Sequence, residues 1–206
     1  MKCAVFASGG GTNFQSLLDK KISGDLHVSF VLVVSNNSRA GALERARKHG
    51  IPTLHISPSH FELEADYTKR LATALREHEV DLIILAGYMK MIPAAIVREY
   101  RNRIINIHPA LLPAFGGKGL YGSRVHCAVL EYGAKVTGVT VHFVDEHYDH
   151  GPVILQRTTE VRDGDNPETL AARVLALEHD SYWRAIEAVA NGAVTVEGRR
   201  VYGIAK

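Results

Sequence analysis

Lys2-Cys3-Ala4-Val5-Phe6-Ala7-Ser8-Gly9-Gly10-Gly11-Thr12-Asn13 opens the chain, and its reading decides the fold. Cys3–Ala7 is a short apolar run of strand length, and Asn13–Leu18 begins a helical pattern. Three consecutive glycines join them. A strand that enters a helix through such a loop reads as the first βα turn of a doubly wound sheet. Glycines remove Cβ atoms, so backbone amides can approach an anion. Thr12 and Asn13 add side-chain donors, and the helix start adds positive potential. A phosphate is the natural guest, and a tight turn without a ligand is the plain alternative. The loop is neither Gly-x-Gly-x-x-Gly nor a glycine loop ending in Gly-Lys-Ser/Thr, which disfavours dinucleotides and nucleotide hydrolysis.

Outward from this turn the pattern repeats. Strand-like Val28–Ser35, Pro52–His55, Asp81–Ala86 and Ile104–Ile107 alternate with helical Ala40–His49, Phe61–Glu79 and Ile92–Tyr100. Short connections of this kind imply right-handed βαβ units and a mostly parallel α/β sheet. The second half differs. Val136–Phe143 and Val153–Val161 alternate apolar and polar residues, as an antiparallel pair at the sheet edge does. Pro167–Asn191 reads as a long helix with Asn166 as its cap, and Val194–Ile204 as a short strand-like tail.

The bulk composition is that of an ordinary soluble globular protein: 206 residues, 46% hydrophobic, 22% charged, net charge +2. That charge is too small to argue for nucleic acid. Cys3 and Cys127 read as reduced thiols, the first in a buried strand and the second in a helix. No apolar run is long enough for a membrane span, and no basic-then-apolar leader opens the chain, so a cytoplasmic protein is expected.

The chemistry-bearing segment is Asn106-Ile107-His108-Pro109 through Pro113, followed by Asp149-His150-Gly151-Pro152. Asn106 and His108 are two residues apart on one strand and face the same way. An amide can donate to an oxyanion, and an imidazole carries protons near neutral pH. Asp149, folded back beside His108, would raise that imidazole's pKa and fix its ring. This is equipment for acyl transfer or proton shuttling without a metal. Pro109 and Pro113 stiffen the chain after the strand. His142, His147 and His150 lie nearby, but their spacing matches no standard zinc framework, and no metal is read here. His147 and His150 read as loop surface, and His142 as a strand residue facing the cleft.

Taken in order and spacing, Ser8–Gln15, Ala86-Gly87-Tyr88-Met89, Asn106–Pro113, Gly138–Asp149 with Gly151-Pro152, and Ala171–His179 resemble the phosphoribosylglycinamide formyltransferase family of purine synthesis. The resemblance covers nearly all of the chain. It implies one formyltransferase domain over 1–206, with a Rossmann-like phosphate-binding half (1–100) and a catalytic, folate-binding half (101–206). The implied reaction moves a formyl group from the cosubstrate 10-formyltetrahydrofolate to the amine of glycinamide ribonucleotide. Asn106 would hold the oxyanion, His108 would act as general acid and base, and Asp149 would raise the His108 pKa. Gly11, Thr12, Asn13, Gly87 and Glu178 would bind the ribonucleotide. Met89, Lys90, Met91, Ile92, Asn106 and the loop Val144, Asp145, Glu146, His147, Tyr148, Asp149 would bind the folate. For Met89, Met91 and Ile92 an ordinary core role is the plain alternative. Lys90 stands where relatives usually carry Arg, which keeps the charge and loses the planar fork. The partners expected are small molecules alone, with no nucleic acid and no membrane, and a monomer or homodimer. The nearest rivals are a formyltetrahydrofolate hydrolase or another formyltransferase of this fold, normally longer by a further domain. A non-catalytic phosphate-binding module would leave Asn106, His108 and Asp149 unexplained.

Overall fold

A computed structural model describes residues 1–204. Strands β1 (Lys2–Phe6), β2 (Ser29–Ser35), β3 (Thr53–His55), β4 (Leu82–Leu85), β5 (Ile104–His108), β6 (Val136–Phe143) and β7 (Val153–Glu160) form one sheet. Their order is β3-β2-β1-β4-β5-β6-β7. The chain divides into two compact units, Met1–Ile105 and Asn106–Lys206, with the break inside β5.

In the first unit β1 pairs in parallel with β2 on one side and β4 on the other. Cys3 to Ala7 are fully buried, as are Leu82, Ile83 and Ile84 of β4. A strand buried on both faces needs a continuous apolar run, which is why these segments do not alternate. Helices α1 (Thr12–Ile22), α2 (Gly41–Lys48), α3 (Glu64–Glu77) and α4 (Ala94–Glu99) connect the strands. Two helices start later than their sequence patterns suggest. Pro58–His60 forms a separate single 3-10 turn, and Leu63 is extended (φ −114°, ψ 135°), so α3 begins at Glu64 rather than Phe61. Pro93 caps α4, and a residue before proline is pushed out of helical geometry, which excludes Ile92 from the helix.

In the second unit β6 and β7 form the expected antiparallel pair. β6 is buried from Thr137 to Phe143, while β7 alternates half-buried with exposed from Leu155 to Glu160, as an outer strand with one wet face does. Gly138 stands opposite Thr158 in this pair. A Cβ there would meet the Arg157 carbonyl oxygen at 1.9 Å and Leu111 Cδ2 at 2.9 Å. Gly138→Ala is therefore expected to destabilise the protein by about 3 kcal/mol, the upper range for forcing atoms into a packed site. Chemical denaturation of the purified variant checks this, and a midpoint equal to that of the parent would refute it.

Helix α6 (Pro167–Ala190) is capped as the sequence predicts: the Asn166 side chain accepts from Thr169 N at 2.8 Å, and Asn166 N donates to Thr169 Oγ1 at 3.0 Å. Such a cap is worth about 1 kcal/mol. Its apolar stripe, Leu170 and Val174, packs on Val139 of β6 and on Val129 of α5 (Ser123–Tyr132). The tail differs from the single segment expected. It is a hairpin of β8 (Thr195–Glu197) and β9 (Arg200–Tyr202), turned by Gly198-Arg199. No helix among the described residues is long and apolar enough to cross a membrane.

Candidate active site

The carboxyl end of β5 delivers Asn106 and His108 into the second unit. His108 is almost fully buried, with its side chain 4% exposed. Its Nε2 lies 2.8 Å from the Phe115 carbonyl, and its Nδ1 lies 3.6 Å from Asp149 Oδ2. A carbonyl can only accept, so Nε2 carries a hydrogen and Nδ1 is the nitrogen free to gain or lose a proton. Asp149 Oδ2 also accepts from Gly117 N at 2.8 Å. The loop after β5 thus grips both members of the pair, Phe115 holding the imidazole and Gly117 the carboxylate.

That loop is itself tied to β6. Thr140 Oγ1 donates to the Ala110 carbonyl at 2.7 Å and accepts from Leu112 N at 3.0 Å. Gln156 Nε2 spans to the Leu112 carbonyl (2.9 Å) and to Thr140 Oγ1 (3.0 Å). Phe115 and Asp149 both adopt the left-handed backbone region (φ 53° and 51°), which is costly for residues with a Cβ. Backbone strain at two contacting loops marks a site whose geometry is fixed by its surroundings.

His142 of β6 joins the group. Its side chain is 2% exposed. Nδ1 donates to the Phe143 carbonyl at 2.8 Å, which leaves the Nε2 lone pair to accept from Asn106 Nδ2 at 3.2 Å. This orients the Asn106 carboxamide and leaves its second N–H to serve another acceptor. Asp149 Oδ1 is 3.8 Å from His142 Nε2, too far for a hydrogen bond but close enough for charge to be felt. On α5, His126 is a third buried imidazole. Burial pushes its pKa down, and the nearby His108 pushes it further.

The charge states follow. Burial pushes the His108 imidazole below its ordinary pKa; Asp149 and the Phe115 carbonyl pull upward, His142 pushes down, and burial wins. The sequence reading expects Asp149 to raise this pKa. Its contribution has that sign, yet the net shift is downward, so the resting ring at neutral pH is neutral. Burial also pushes the Asp149 carboxyl up, but His142, His108 and the Gly117 amide outweigh it and keep it below the usual carboxylate range. The pair at rest is a neutral imidazole beside a carboxylate.

The loop from Val144 to Tyr148 continues from β6. Val144 and Asp145 are half-buried, while Glu146, His147 and Tyr148 are exposed. Asp145 accepts from His147 N at 2.9 Å and from His150 Nδ1 at 2.6 Å. The ligating atoms of Asp145, His147 and His150 lie within 4.8 Å of one another. The Arg199 guanidinium reaches the same spot, with Nη1 3.4 Å from both His150 nitrogens, and its charge opposes a cation there. Glu178 is buried on α6.

In the first unit the glycine loop leads into α1. Gly11 has φ 74°, and a Cβ on it would stand 2.8 Å from Ala42 Cβ, so only glycine fits. Gly11 is buried, Thr12 exposed and Asn13 half-buried. Ser8 ties this loop to the turn after β4: its N donates to the Gly87 carbonyl at 3.0 Å, and its Oγ accepts from Met89 N at 2.8 Å. Met89 and Met91 are 50% and 48% exposed, so the core role considered for them does not hold; Ile92, 4% exposed, is core. Lys90 is exposed.

The sequence reading groups Asn106, His108 and Asp149, and it places His142 in a cleft without giving it a role. It does not find Phe115 or Gly117. His142 had a visible signal, a histidine on a β-branched strand between Val141 and Phe143. Phe115 and Gly117 act through backbone atoms and leave none.

Comparison with known proteins adds an independent line. The formyl transferase family model matches residues 1–186. A chloroplastic phosphoribosylglycinamide formyltransferase from Vigna unguiculata is 46% identical over 188 residues, covering 91% of this chain and 60% of its own length. The chain thus spans under two thirds of that relative. A phosphoribosylglycinamide formyltransferase from Bacillus subtilis (strain 168) is 40% identical over 181 residues, 88% of this chain and 90% of its own. The crystal structure of glycinamide ribonucleotide transformylase 1 from Symbiobacterium toebii superposes with TM-score 0.92 at 40% identity, over 100% of this chain and 94% of that one. With a family model matched from the first residue through most of α6, this chain belongs to the formyl transferase family.

Proposed function

We propose that the protein transfers a formyl group from 10-formyltetrahydrofolate to the amine of glycinamide ribonucleotide. The observation that carries the reading is a neutral, buried His108 with Nδ1 beside the Asp149 carboxylate, on the same strand as an Asn106 amide with an N–H to spare. The names of the relatives support formyl transfer and the glycinamide ribonucleotide acceptor.

The amine attacks the formyl carbon, a C–N bond forms, and the formyl oxygen gains negative charge. Asn106 donates its second N–H to that oxygen. His108 accepts the amine's proton at Nδ1, and Asp149 stabilises the resulting imidazolium. His108 then returns the proton to the departing folate nitrogen as its C–N bond breaks. The ribonucleotide phosphate belongs at the glycine loop, with Gly11, Thr12 and Asn13 as donors. Gly87 and Glu178 complete the ribonucleotide contacts. The exposed Met89, Lys90 and Met91 and the loop 144–149 meet the folate.

An assay with both substrates, run beside a control lacking the ribonucleotide, tests this. Formylated ribonucleotide formed only in the complete mixture supports transfer. Release of formate in the control at the same rate would make the protein a hydrolase.

The pH dependence has a defined sign. A base with a depressed pKa is competent when neutral, so kcat/KM falls as pH drops through a value below the ordinary imidazole value of about 6.5. Asp149→Asn removes the largest upward pull on His108. The acidic limb is expected to move to still lower pH, while the plateau falls because the imidazolium loses its partner. A limb that stays put, or moves up, would refute the pairing.

A further inference from the structure

Three successive carbonyls of the glycine loop are held on one side. Ser8 O accepts from Asn37 Nδ2 at 3.2 Å, Gly9 O from Ala42 N at 3.3 Å, and Gly10 O from Arg45 Nε at 2.9 Å. In a planar trans peptide the carbonyl of one residue and the N–H of the next point in opposite directions. Fixing these three oxygens toward residues 37–45 therefore turns the N–H groups of Gly9, Gly10 and Gly11 away from them. Successive amides presented to one side of a loop are what an anion needs. Glycine supplies the freedom to adopt this arrangement, and the tethers remove the alternatives.

Arg45 is the one charged member of the set. It lies on α2, half-buried, and its guanidinium is itself braced: Nη1 donates to Gln15 Oε1 at 2.6 Å, and Gln15 Nε2 donates to Asp19 Oδ1 at 2.8 Å. Gln15 N in turn donates to Gly11 O at 2.8 Å, the first helical bond of α1. One planar fork thus joins the loop carbonyl to the helix that follows the loop, a geometry lysine cannot reproduce.

We propose that Arg45 is a positioning residue for the ribonucleotide: by tethering the Gly10 carbonyl it aims the Gly11 N–H at the phosphate. The proposal rests on the assignment of that phosphate to the glycine loop. Arg45 acts through the backbone and takes no part in proton transfer.

The test uses the full chain with Arg45→Met and Arg45→Lys. For Arg45→Met, KM for the ribonucleotide is expected to rise about tenfold, with kcat and KM for the formyl donor within about twofold, the pattern of lost substrate binding. Arg45→Lys, which keeps charge but not the fork, is expected to rise about threefold. An unchanged ribonucleotide KM in Arg45→Met would overturn the proposal. So would Arg45→Lys matching the parent while Arg45→Met fails, which would assign the effect to charge alone. Titration with inorganic phosphate, followed by amide NMR of the loop glycines, separates this from the underlying assignment. In the parent protein phosphate should shift the Gly9, Gly10 and Gly11 resonances, and Arg45→Lys should need about three times as much for the same Gly11 shift. No shift in the parent would remove the phosphate from the loop and the proposal with it. A shift in the parent with an identical titration in Arg45→Lys would overturn the role of Arg45 and leave the phosphate where it is. Should Arg45→Met fail to fold, the lysine variant carries both measurements.

Discussion

His108→Ala lowers kcat/KM by about a thousandfold, the middle of the range for removing a positioned acid–base group. The direction follows from three facts. The imidazole is buried, so no bulk water replaces it efficiently. Its Nε2 hydrogen is committed to the Phe115 carbonyl, so Nδ1 alone is available for exchange. Its neutral resting state suits it to take the proton that a newly bonded amine must lose. The loss should appear in kcat more than in either KM, because the proton moves only as the reaction proceeds. Removing the ring also leaves the Phe115 carbonyl and the Asp149 carboxylate short of a partner. A stability cost of about 2 kcal/mol is expected from an unpartnered buried acceptor. The activity measurement is therefore made beside a thermal melt, at a temperature where the variant is fully folded. A folded variant that keeps parental turnover would remove His108 from the mechanism, and with it the reading of Asp149.

What the sequence makes legible here is set by how local each cause is. β1 and β4 are buried on both faces, so each shows as an unbroken apolar run. The cap of α6 shows because Asn166 and Thr169 are three residues apart and satisfy each other. Asn106 and His108 show because a strand's alternation puts them on one face. The support of the site is not local. Gly117 is 32 residues from the Asp149 carboxylate it holds, and Phe115, seven residues from His108, contributes only a carbonyl that every residue type possesses. Arg45 is 35 residues from Gly10 and reads as one more surface cation on a helix. The His108 charge state depends on the balance between burial and one carboxylate at 3.6 Å. A sequence names the carboxylate but does not measure the burial.

Asn106→Ala lowers kcat by about a hundred- to a thousandfold, or roughly 3–4 kcal/mol, as loss of a single oxyanion donor does elsewhere. The spare N–H of Asn106 is preorganised because the other is spent on His142, whose own orientation is set by the Phe143 carbonyl. Such a donor costs no reorganisation when negative charge develops. Its interaction is strongest in the tetrahedral state and weak with the neutral formyl group. The expected signature is an equal fall in kcat and in kcat/KM, with both KM values near those of the parent. A rise in KM at constant kcat would mean that Asn106 holds a substrate in the ground state. His142→Ala provides the complementary measurement. Without its acceptor the carboxamide is free to rotate, so part of the same loss should appear although His142 never meets the oxyanion. In Asn106→Ala that contribution has nothing left to act on, and the double variant should be little worse than Asn106→Ala alone. Fully additive losses would mean that the histidine and the amide work independently, and the chain of orientation from the Phe143 carbonyl through His142 to Asn106 would have no part in the chemistry.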